Sequence, residues 1–529
     1  MILDAHKGFG GAPSRYDICM VGAGPAGITL ALQFEATQRR VCVLEAGGVS
    51  YEPVTQRLFE GEVVAGPYTA LRDTRLGAVG GSTNVWAGWC RPLEPFDFEP
   101  RDWCSAGGWP FGIHELRPYY ARAHDLCGLA AFDYDPEHWA GVLGQPELLA
   151  RDATFSNQIF HVQAQNFGHR YYPQLEQSKN IDLVLHAPIT DLRVEGGACT
   201  AVRIRTLEGN AFAISADHFV LAAGGVENAR LLLLSAESPA AAPGNAEGLV
   251  GRYFTDHAYI DPGALVLREP DSLEFYRLRP VASSPGASSM RGVLALRREV
   301  SERERLMQAA FFFHPRYESH PVFASDDVKA FLHLWNKLKH RAVPGAGWPF
   351  ARRAARGPHR LAVALARKLT VGEGPAHRWR LRAMFETEFR SENRVTLSDE
   401  YDRLGRRRAR VEWRLGETDI DNMRRVTRLL DQAVRDAGVG HIELAFADEA
   451  SAWRRAMEGG LHHMGTTRMH VTPEHGVVDE NSRVHGTSNL FIAGSSVFPS
   501  GGYANPTLTI VALTLRLGDH LKRVVGIRS

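Results

Sequence analysis

Two short stretches carry residue types that could act on an alcohol. His462 and His463 lie in Leu461-His-His-Met-Gly-Thr-Thr, and Asn505 lies in Ala504-Asn-Pro-Thr-Leu-Thr, at the head of an apolar helical run. A neutral imidazole, with an ordinary pKa of about 6.5, can take the proton of a hydroxyl. A carboxamide can hold the same oxygen and aim the adjoining C–H bond. Such a pair removes a proton from oxygen while hydride leaves carbon, so it needs a hydride acceptor opposite. Each residue also has a plainer reading. Most of the 22 histidines must be hydrogen-bonded structural groups, and His470, His475 and His485 are read that way. Asn505 before Pro506 also suits a turn and a helix cap. His463 stays open between base, partner of the base and packing. Asp479 and Arg483 read as a loop ion pair.

The elements that would position these groups start far upstream. Tyr16-Asp-Ile-Cys-Met-Val has the form of a strand buried on both faces. It runs into Gly22-Ala-Gly24-Pro25-Ala26-Gly27, then a helix over residues 28–36 and a strand over residues 40–45 that ends on Glu45. This order is the dinucleotide fingerprint in its structural context. Gly22 permits the tight turn, Gly24 the approach of a pyrophosphate, and Gly27 the packing of helix on strand, while the helix N-terminus stabilises the phosphate charge. Glu45 is placed to accept hydrogen bonds from a ribose. The fingerprint leaves NAD and FAD both open. A second cluster, Gly80-Gly81-Ser82-Thr83-Asn84-Val85-Trp86, lets backbone N–H groups converge on an anion or a flat ring. A bare Gly-rich turn is its plainer reading; beside the fingerprint it is read as contacting the cofactor.

Farther along, Leu183-Val-Leu-His, Asp191-Leu-Arg-Val-Glu and Ala201-Val-Arg-Ile-Arg read as strands of a small meander. The strand ending at Ala223-Gly224-Gly225 leads into a helix carrying Asn228, which suits a second βα unit of the nucleotide sheet. Gly112 to Asp125 and Glu417 to Ala437 read as amphipathic helices. Short apolar runs at Val293-Leu-Ala-Leu and Ala309-Ala-Phe-Phe-Phe predict antiparallel strands of a second domain, with residues 382–388 and 393–398 as a further strand pair. Between Lys329 and Arg382 lie thirteen Lys or Arg and one acid, Glu373. That stretch is read as the solvated face of helices at residues 328–339 and 361–368. A membrane or protein partner there is the less favoured reading.

Net charge is +1 and charged residues make up 23% of the chain, which gives no sign of a nucleic-acid partner. No apolar run is long enough to span a bilayer, and the N-terminus lacks a secretory pattern. The six cysteines show no CxxC pair or metal spacing. They are read as reduced, with no metal and a cytoplasmic address.

Taken together, GAGPAG, GAVGGSTNVW, AAGGVENARLLLLS and the C-terminal pair HHMGT and ANPTLT resemble the glucose–methanol–choline (GMC) family of flavin oxidoreductases over nearly the whole chain. The C-terminal block is most similar to the pyranose-oxidase-like sugar and polyol branch. The resemblance implies FAD, and an α/β plus α+β architecture. A Rossmann-like FAD domain is built from residues 1–115, 181–254 and 451–529. A substrate domain, an antiparallel sheet with helices, takes residues 116–180 and 255–450, with a basic helical cap near residues 328–382. It implies His462 as base and Asn505 as its partner. Gly494 and Ser495 fall near the pyrophosphate and ribityl chain, and Pro506 and Thr507 near the flavin pyrimidine edge. Ile189 falls at the adenine, Ala46 in the turn after Glu45, and Glu386 at a substrate-side acid; Glu386 equally suits pairing with a nearby arginine. Relatives that tether FAD do so through a histidine just before the tryptophan of GAVGGSTNVW. Val85 stands there, so the FAD is expected to be non-covalent. The implied reaction oxidises CH–OH on a sugar, glycoside or polyol, with oxygen or a quinone-like or protein acceptor taking the electrons. A bulkier lipid or sterol alcohol, or lyase chemistry on the same fold, are the alternatives.

Overall fold

The computed structural model describes residues 1–8, 15–66, 68–104, 107–163, 166–281, 288–314, 359, 362–363 and 375–527. Two large sheets organise them. The first is parallel at its centre, in the order β1 (Ile2–Asp4), β7 (Ile181–Leu185), β3 (Val41–Leu44), β2 (Arg15–Val21), β10 (Ala211–Leu221). The second half of β10 also takes β20 (Leu490–Ile492) as a parallel neighbour. Its first half turns outward to pair antiparallel with β9 (Ala198–Arg205), which in turn pairs with β8 (Ile189–Glu195). All four residues of β3 and the last four of β2 are buried, as a strand covered on both faces requires. Three segments far apart in the chain thus build one Rossmann-like sheet.

The predicted meander is corrected by this pairing. Of the three predicted strands only β8 and β9 pair, turned at Gly196 and Gly197, both with positive φ, and the first half of β10 supplies the third antiparallel strand. Leu183-Val-Leu belongs to β7, whose Ile181, Leu183 and Val184 are fully buried between β1 and β3. That burial is what a short apolar run without alternation should have signalled.

The second sheet is antiparallel, in the order β18 (Gly440–Leu444), β11 (Ala258–Asp271), β15 (Ala376–Phe385), β14 (Ala309–His314), β13 (Ser289–Leu296), β6 (Phe155–Val162), β5 (Trp89–Cys90), with β12 (Arg279–Pro280) on β13 and β19 (Glu458–Gly459) on β11. Trp89 and Cys90 therefore join the antiparallel sheet, ahead of the expected change of domain after residue 115. A small third sheet sets β16 (Arg394–Tyr401) against β17 (Arg407–Glu412) and β4 (Gly61–Val63). The expected pairing of residues 382–388 with 393–398 does not form. The chain turns at Arg390, where Asn393 N–H donates to its carbonyl at 3.2 Å, and β16 starts by bonding Gly251 through Val395 N–H at 2.8 Å.

Helix α1 (Pro25–Leu32) joins β2 to β3, with Pro25 at its first turn, where its fixed φ suits a helix start. It stops short of Ala36, which sits at φ +59°. Helix α2 (Ile113–Cys127) and α1 both pack on the long C-terminal helix α5 (Thr507–Val524). Leu508, Val511 and Leu521 of α5 are fully buried, each contributing about 1.5–3 kcal/mol of hydrophobic stabilisation. Helix α3 (Gly224–Leu234) follows β10, and the amphipathic α4 (Glu417–Asp436) lies against β18. The expected helix at residues 328–339, all but residues 362–363 of that at 361–368, and most of the basic cap lie outside the described residues. Among the described residues no helix is long and apolar enough to cross a membrane. All six cysteines are free and buried.

Candidate active site and cofactor cleft

A cleft of about 1540 Å³, counting its solvent-open mouth, runs along the C-terminal edge of the parallel sheet. Separate turns line it: Gly22 to Ala26, Glu45 and Ala46, Gly81 and Ser82, Ala223 and Gly224, Gly494 and Ser495, and Pro506 and Thr507. Ile189 lines it as well. Gly24, Gly224 and Gly494 face open space, for a Cβ built on any of them meets nothing within 4 Å. Helices α1, α3 and α5 all begin at this cleft, and none has a side-chain cap. Their first N–H groups and the positive ends of their dipoles are available to an anion. Glu45, 5% exposed, accepts from Ala23 N–H at 3.0 Å and Gly47 N–H at 3.1 Å, which locks the first turn to the second. An elongated, glycine-edged cleft with three uncapped helix ends and a terminal acid fits a dinucleotide such as FAD.

Other sequence-selected residues build the walls without lining the cleft. A Cβ on Gly27 would come within 1.9 Å of Gly22 O, so only glycine allows this helix-to-strand contact. Gly80 N–H donates to Ala23 O at 2.8 Å, and Asn84 Nδ2 donates to Val79 O at 2.9 Å and Gly81 O at 3.0 Å. These bonds fasten the second glycine turn to the first. Val85 closes that turn, and the buried Trp86 indole N–H finds no acceptor among the described residues. Asn228 accepts from Ala223 N–H at 2.9 Å and donates to Ser496 Oγ at 3.0 Å, which ties α3 to the Gly494 turn.

His462 and His463 stand at one end of the cleft. Asn505 Nδ2 lies 3.0 Å from His462 Nε2, and Asn505 also hydrogen-bonds the Tyr259 hydroxyl. The segment Thr255-Asp256-His257 runs antiparallel to the histidine turn through Thr255 and Met464, which exchange backbone bonds at 3.1 and 3.0 Å. Asp256 accepts from Leu461 N–H at 2.8 Å, from His462 N–H at 2.7 Å and from the Tyr68 hydroxyl. His257 Nδ1 is 2.8 Å from His462 Nδ1, and its Nε2 donates to Gly502 O at 2.9 Å. His463 is 7% exposed and packs near Tyr68 and Phe254, and its Nε2 has no hydrogen-bond partner among the described residues.

Burial sets the electrostatics here. It lowers the pKa of His462 well below the ordinary value, with the neighbouring His257 and His463 adding to the effect. It pushes His463 down to about 3 and His257 down to about 4. All three imidazoles are therefore neutral at neutral pH, the form in which a histidine can accept a proton. Asp256 moves the other way, up to about 6, because desolvation outweighs its three donors.

Glu386 pairs with an arginine, the second of the two readings its sequence position offered. It is 3% exposed, and its oxygens accept from Arg101 Nη1 at 2.7 Å and Nη2 at 2.5 Å. Gln308 N–H and Gly502 N–H each donate to it at 3.2 Å. Burial alone would raise its pKa, but the Arg101 charge holds it below the ordinary range. Asp479 and Arg483 do pair, at 3.2 Å. The sequence reading passed over Asp256, His257, Tyr68 and Tyr259. The available signal was Asp256-His257 entering an apolar strand, since two titratable groups at the mouth of a core strand need partners.

Among the described residues, Asp4, His6 and His186 form one group able to offer three metal ligands. The two imidazoles stack at 4.2 Å with planes only 7° apart, so their in-plane lone pairs do not converge. His186 is held instead between Asp4 and Glu52, at 2.9 Å from each.

Comparison with known proteins follows the same lines. Residues 390–514 match the family model described as GMC oxidoreductase. The chain is 25% identical to 2-methyl-1,2-propanediol dehydrogenase of Mycolicibacterium austroafricanum, over 96% of this chain and 95% of that one. It is 24% identical to the fructose dehydrogenase large subunit of Gluconobacter japonicus, over 87% of this chain and 83% of that one. Among solved structures it superposes on pyridoxine 4-oxidase from Mesorbium loti with a TM-score of 0.58 and 16% identity, covering 96% of this chain and 99% of that one. That likeness speaks for the fold.

Proposed function

We propose that this chain, an oxidoreductase of the glucose–methanol–choline family that oxidises CH–OH groups with FAD, takes a sugar, glycoside or polyol as substrate and uses His462 as its base. The observation that carries this reading is the His462–Asn505 pair, 3.0 Å apart at the end of the cofactor cleft. FAD, when bound, supplies the hydride acceptor. His462 Nε2 receives the hydroxyl proton, which its lowered pKa permits without prior deprotonation. Asn505 Nδ2, which in the free protein bonds His462, turns to the substrate oxygen and holds the C–H bond in line. The uncapped start of α5 directs a positive dipole end at the charge that develops beside it. His463 is proposed as a packing neighbour of the base, against Tyr68 and Phe254.

The sugar and polyol preference rests on relatives that act on 2-methyl-1,2-propanediol and fructose. Behind the site Phe160, Phe312 and Tyr503 form a buried aromatic cluster, with Trp89 and Tyr259 against it. Val85 offers no nucleophile for a tether, so the FAD is proposed to be held without a covalent bond. The electron acceptor is proposed to be oxygen or a quinone-like or protein acceptor. Six free, buried cysteines suit a reducing compartment, and the cytoplasm is the proposed address.

The test is anaerobic mixing of the purified protein with sugars, glycosides and small polyols while the visible flavin band is followed. Bleaching by that class and not by sterols supports the reading. His462→Ala should slow bleaching by about a hundredfold or more with flavin content unchanged. Full activity in that variant would move the base to another residue. Flavin that stays with acid-precipitated protein would overturn the non-covalent assignment.

A further inference from the structure

We propose that His257 is a positioning residue: it fixes His462 in the tautomer that carries its proton on Nδ1, leaving Nε2 as a bare lone pair facing Asn505 and the substrate oxygen. The inference deepens the reading above and rests on His462 as the base. The argument is one of donors and acceptors along a chain of three contacts. Gly502 O is a carbonyl and can only accept, so at 2.9 Å it requires a proton on His257 Nε2. Burial disfavours a charged His257, so a neutral ring with Nε2–H has a bare Nδ1. That bare Nδ1 lies 2.8 Å from His462 Nδ1. Two lone pairs at that distance would repel, so the proton between them belongs to His462 Nδ1. A neutral His462 protonated there has its lone pair on Nε2, the atom that faces Asn505 Nδ2 at 3.0 Å. The rings meet edge-on, with centroids 5.0 Å apart and planes at 80°, so an in-plane N–H of one can point at a lone pair of the other.

The anchor of this chain is itself fixed. Gly502 N–H donates to the buried Glu386, so the residue that presents Gly502 O is held at both its N–H and its carbonyl. Asp256, next to His257, clamps the backbone of Leu461 and His462 through both carboxylate oxygens. The ring of His462 and the chain that carries it are thus set by adjacent residues of one strand-entering segment. Without His257, nothing described accepts from His462 Nδ1. The neutral ring would then be free to place its proton on Nε2, where it cannot act as a base. In a comparable catalytic imidazole, the wrong tautomer lowers turnover by up to about 10⁴-fold.

Two variants separate tautomer control from packing. His257→Leu keeps bulk and removes the acceptor, while His257→Asn puts an amide oxygen near the position of Nδ1. Flavin reduction in FAD-loaded His257→Leu should fall about a hundredfold, with substrate KM within about threefold of wild type. His257→Asn should recover at least about tenfold of that loss. His257→Leu at nearly the wild-type rate would overturn the proposal, as would His257→Asn being as slow as His257→Leu while folded and flavin-loaded. If His257→Leu fails to fold, selective ¹⁵N-histidine NMR of the wild-type holoenzyme decides, with His462→Ala assigning the signal. An unprotonated Nε2 on His462 is expected, and an Nε2–H signal would overturn the inference. His462→Ala also divides the two claims. If it keeps full activity, the base assignment fails; if it is slow while His257→Leu is fast, only the role of His257 fails.

Discussion

Glu386→Leu should remove much of this protein's stability margin while substrate KM stays near the wild-type value. The Arg101 side chain has no exposure, and Glu386 is its only counter-charge among the described residues within hydrogen-bond distance. Stripping the carboxylate from a buried pair leaves an uncompensated cation and costs about 3–5 kcal/mol. Gln308 N–H and Gly502 N–H lose an acceptor in the same step, and each orphaned group adds about 1–3 kcal/mol if it finds no other partner. The four donors share one carboxylate, so these costs overlap, and about 4–6 kcal/mol is a reasonable total. Against a typical net stability of about 5–15 kcal/mol this is severe. Arg101→Met combined with Glu386→Leu removes the stranded charge as well and should recover about half of the loss. The assay is a double-mutant cycle on the FAD-saturated protein, read from urea midpoints, with substrate KM measured well below the melting transition. A Glu386→Leu protein of wild-type stability whose KM has risen tenfold or more would refute the structural role and return Glu386 to the substrate.

Two further perturbations address the cofactor turn and the base. Gly27→Ala should give protein lacking FAD, because the new Cβ meets a backbone carbonyl at 1.9 Å and cannot be relieved by a side-chain rotation; the visible-to-ultraviolet absorbance ratio of purified protein checks this, and a normal ratio would contradict the packing. The rate of flavin reduction should stay flat as pH falls from 8 to 6.5. His462 is active when neutral, and its pKa is held well below 6.5 by burial and by His257 and His463, so the loss of rate belongs to the acid side of 6.5. A stopped-flow profile with its midpoint at or above pH 6.5 would show that the ring is solvated in the working enzyme.

Much of the fold was legible because its signals are local. The run Tyr16 to Gly27 specifies a strand, a turn and a helix within a dozen residues, and Gly22 and Gly27 have steric reasons that the structure repeats. Strand partners are a different matter. Leu183-Val-Leu looked like part of a hairpin because its neighbours Asp191 to Arg205 form one, yet it pairs with residues 2–4 and 41–44. Periodicity reports how many faces of a strand are buried and says nothing of which strand lies beside it. The same limit broke the expected pair at 382–388 and 393–398. Those residues are adjacent in sequence, but the turn at Arg390 sends them to different sheets.

The site divides along the same line. His462 and Asn505 were readable from motif spacing, whereas the groups proposed to set His462 up as a base sit 205 residues away, in Asp256 and His257. Nothing in the string HHMGTT records that its backbone is clamped by a carboxylate or that its Nδ1 meets another ring. Yet Asp256-His257 was not silent. A core strand that opens on an acid and a histidine must satisfy both, and a buried acid whose pKa is raised to about 6 is stable only where donors converge on it. The donors turned out to be Leu461 N–H, His462 N–H and the Tyr68 hydroxyl. Buried titratable pairs at strand entrances are therefore places to look for the partners of a proposed catalytic residue. By the same logic Glu386, which suited a substrate-side acid and an arginine partner alike, pairs with Arg101 and accepts from Gly502 N–H, three contacts from the His462 Nε2 proposed to take the proton.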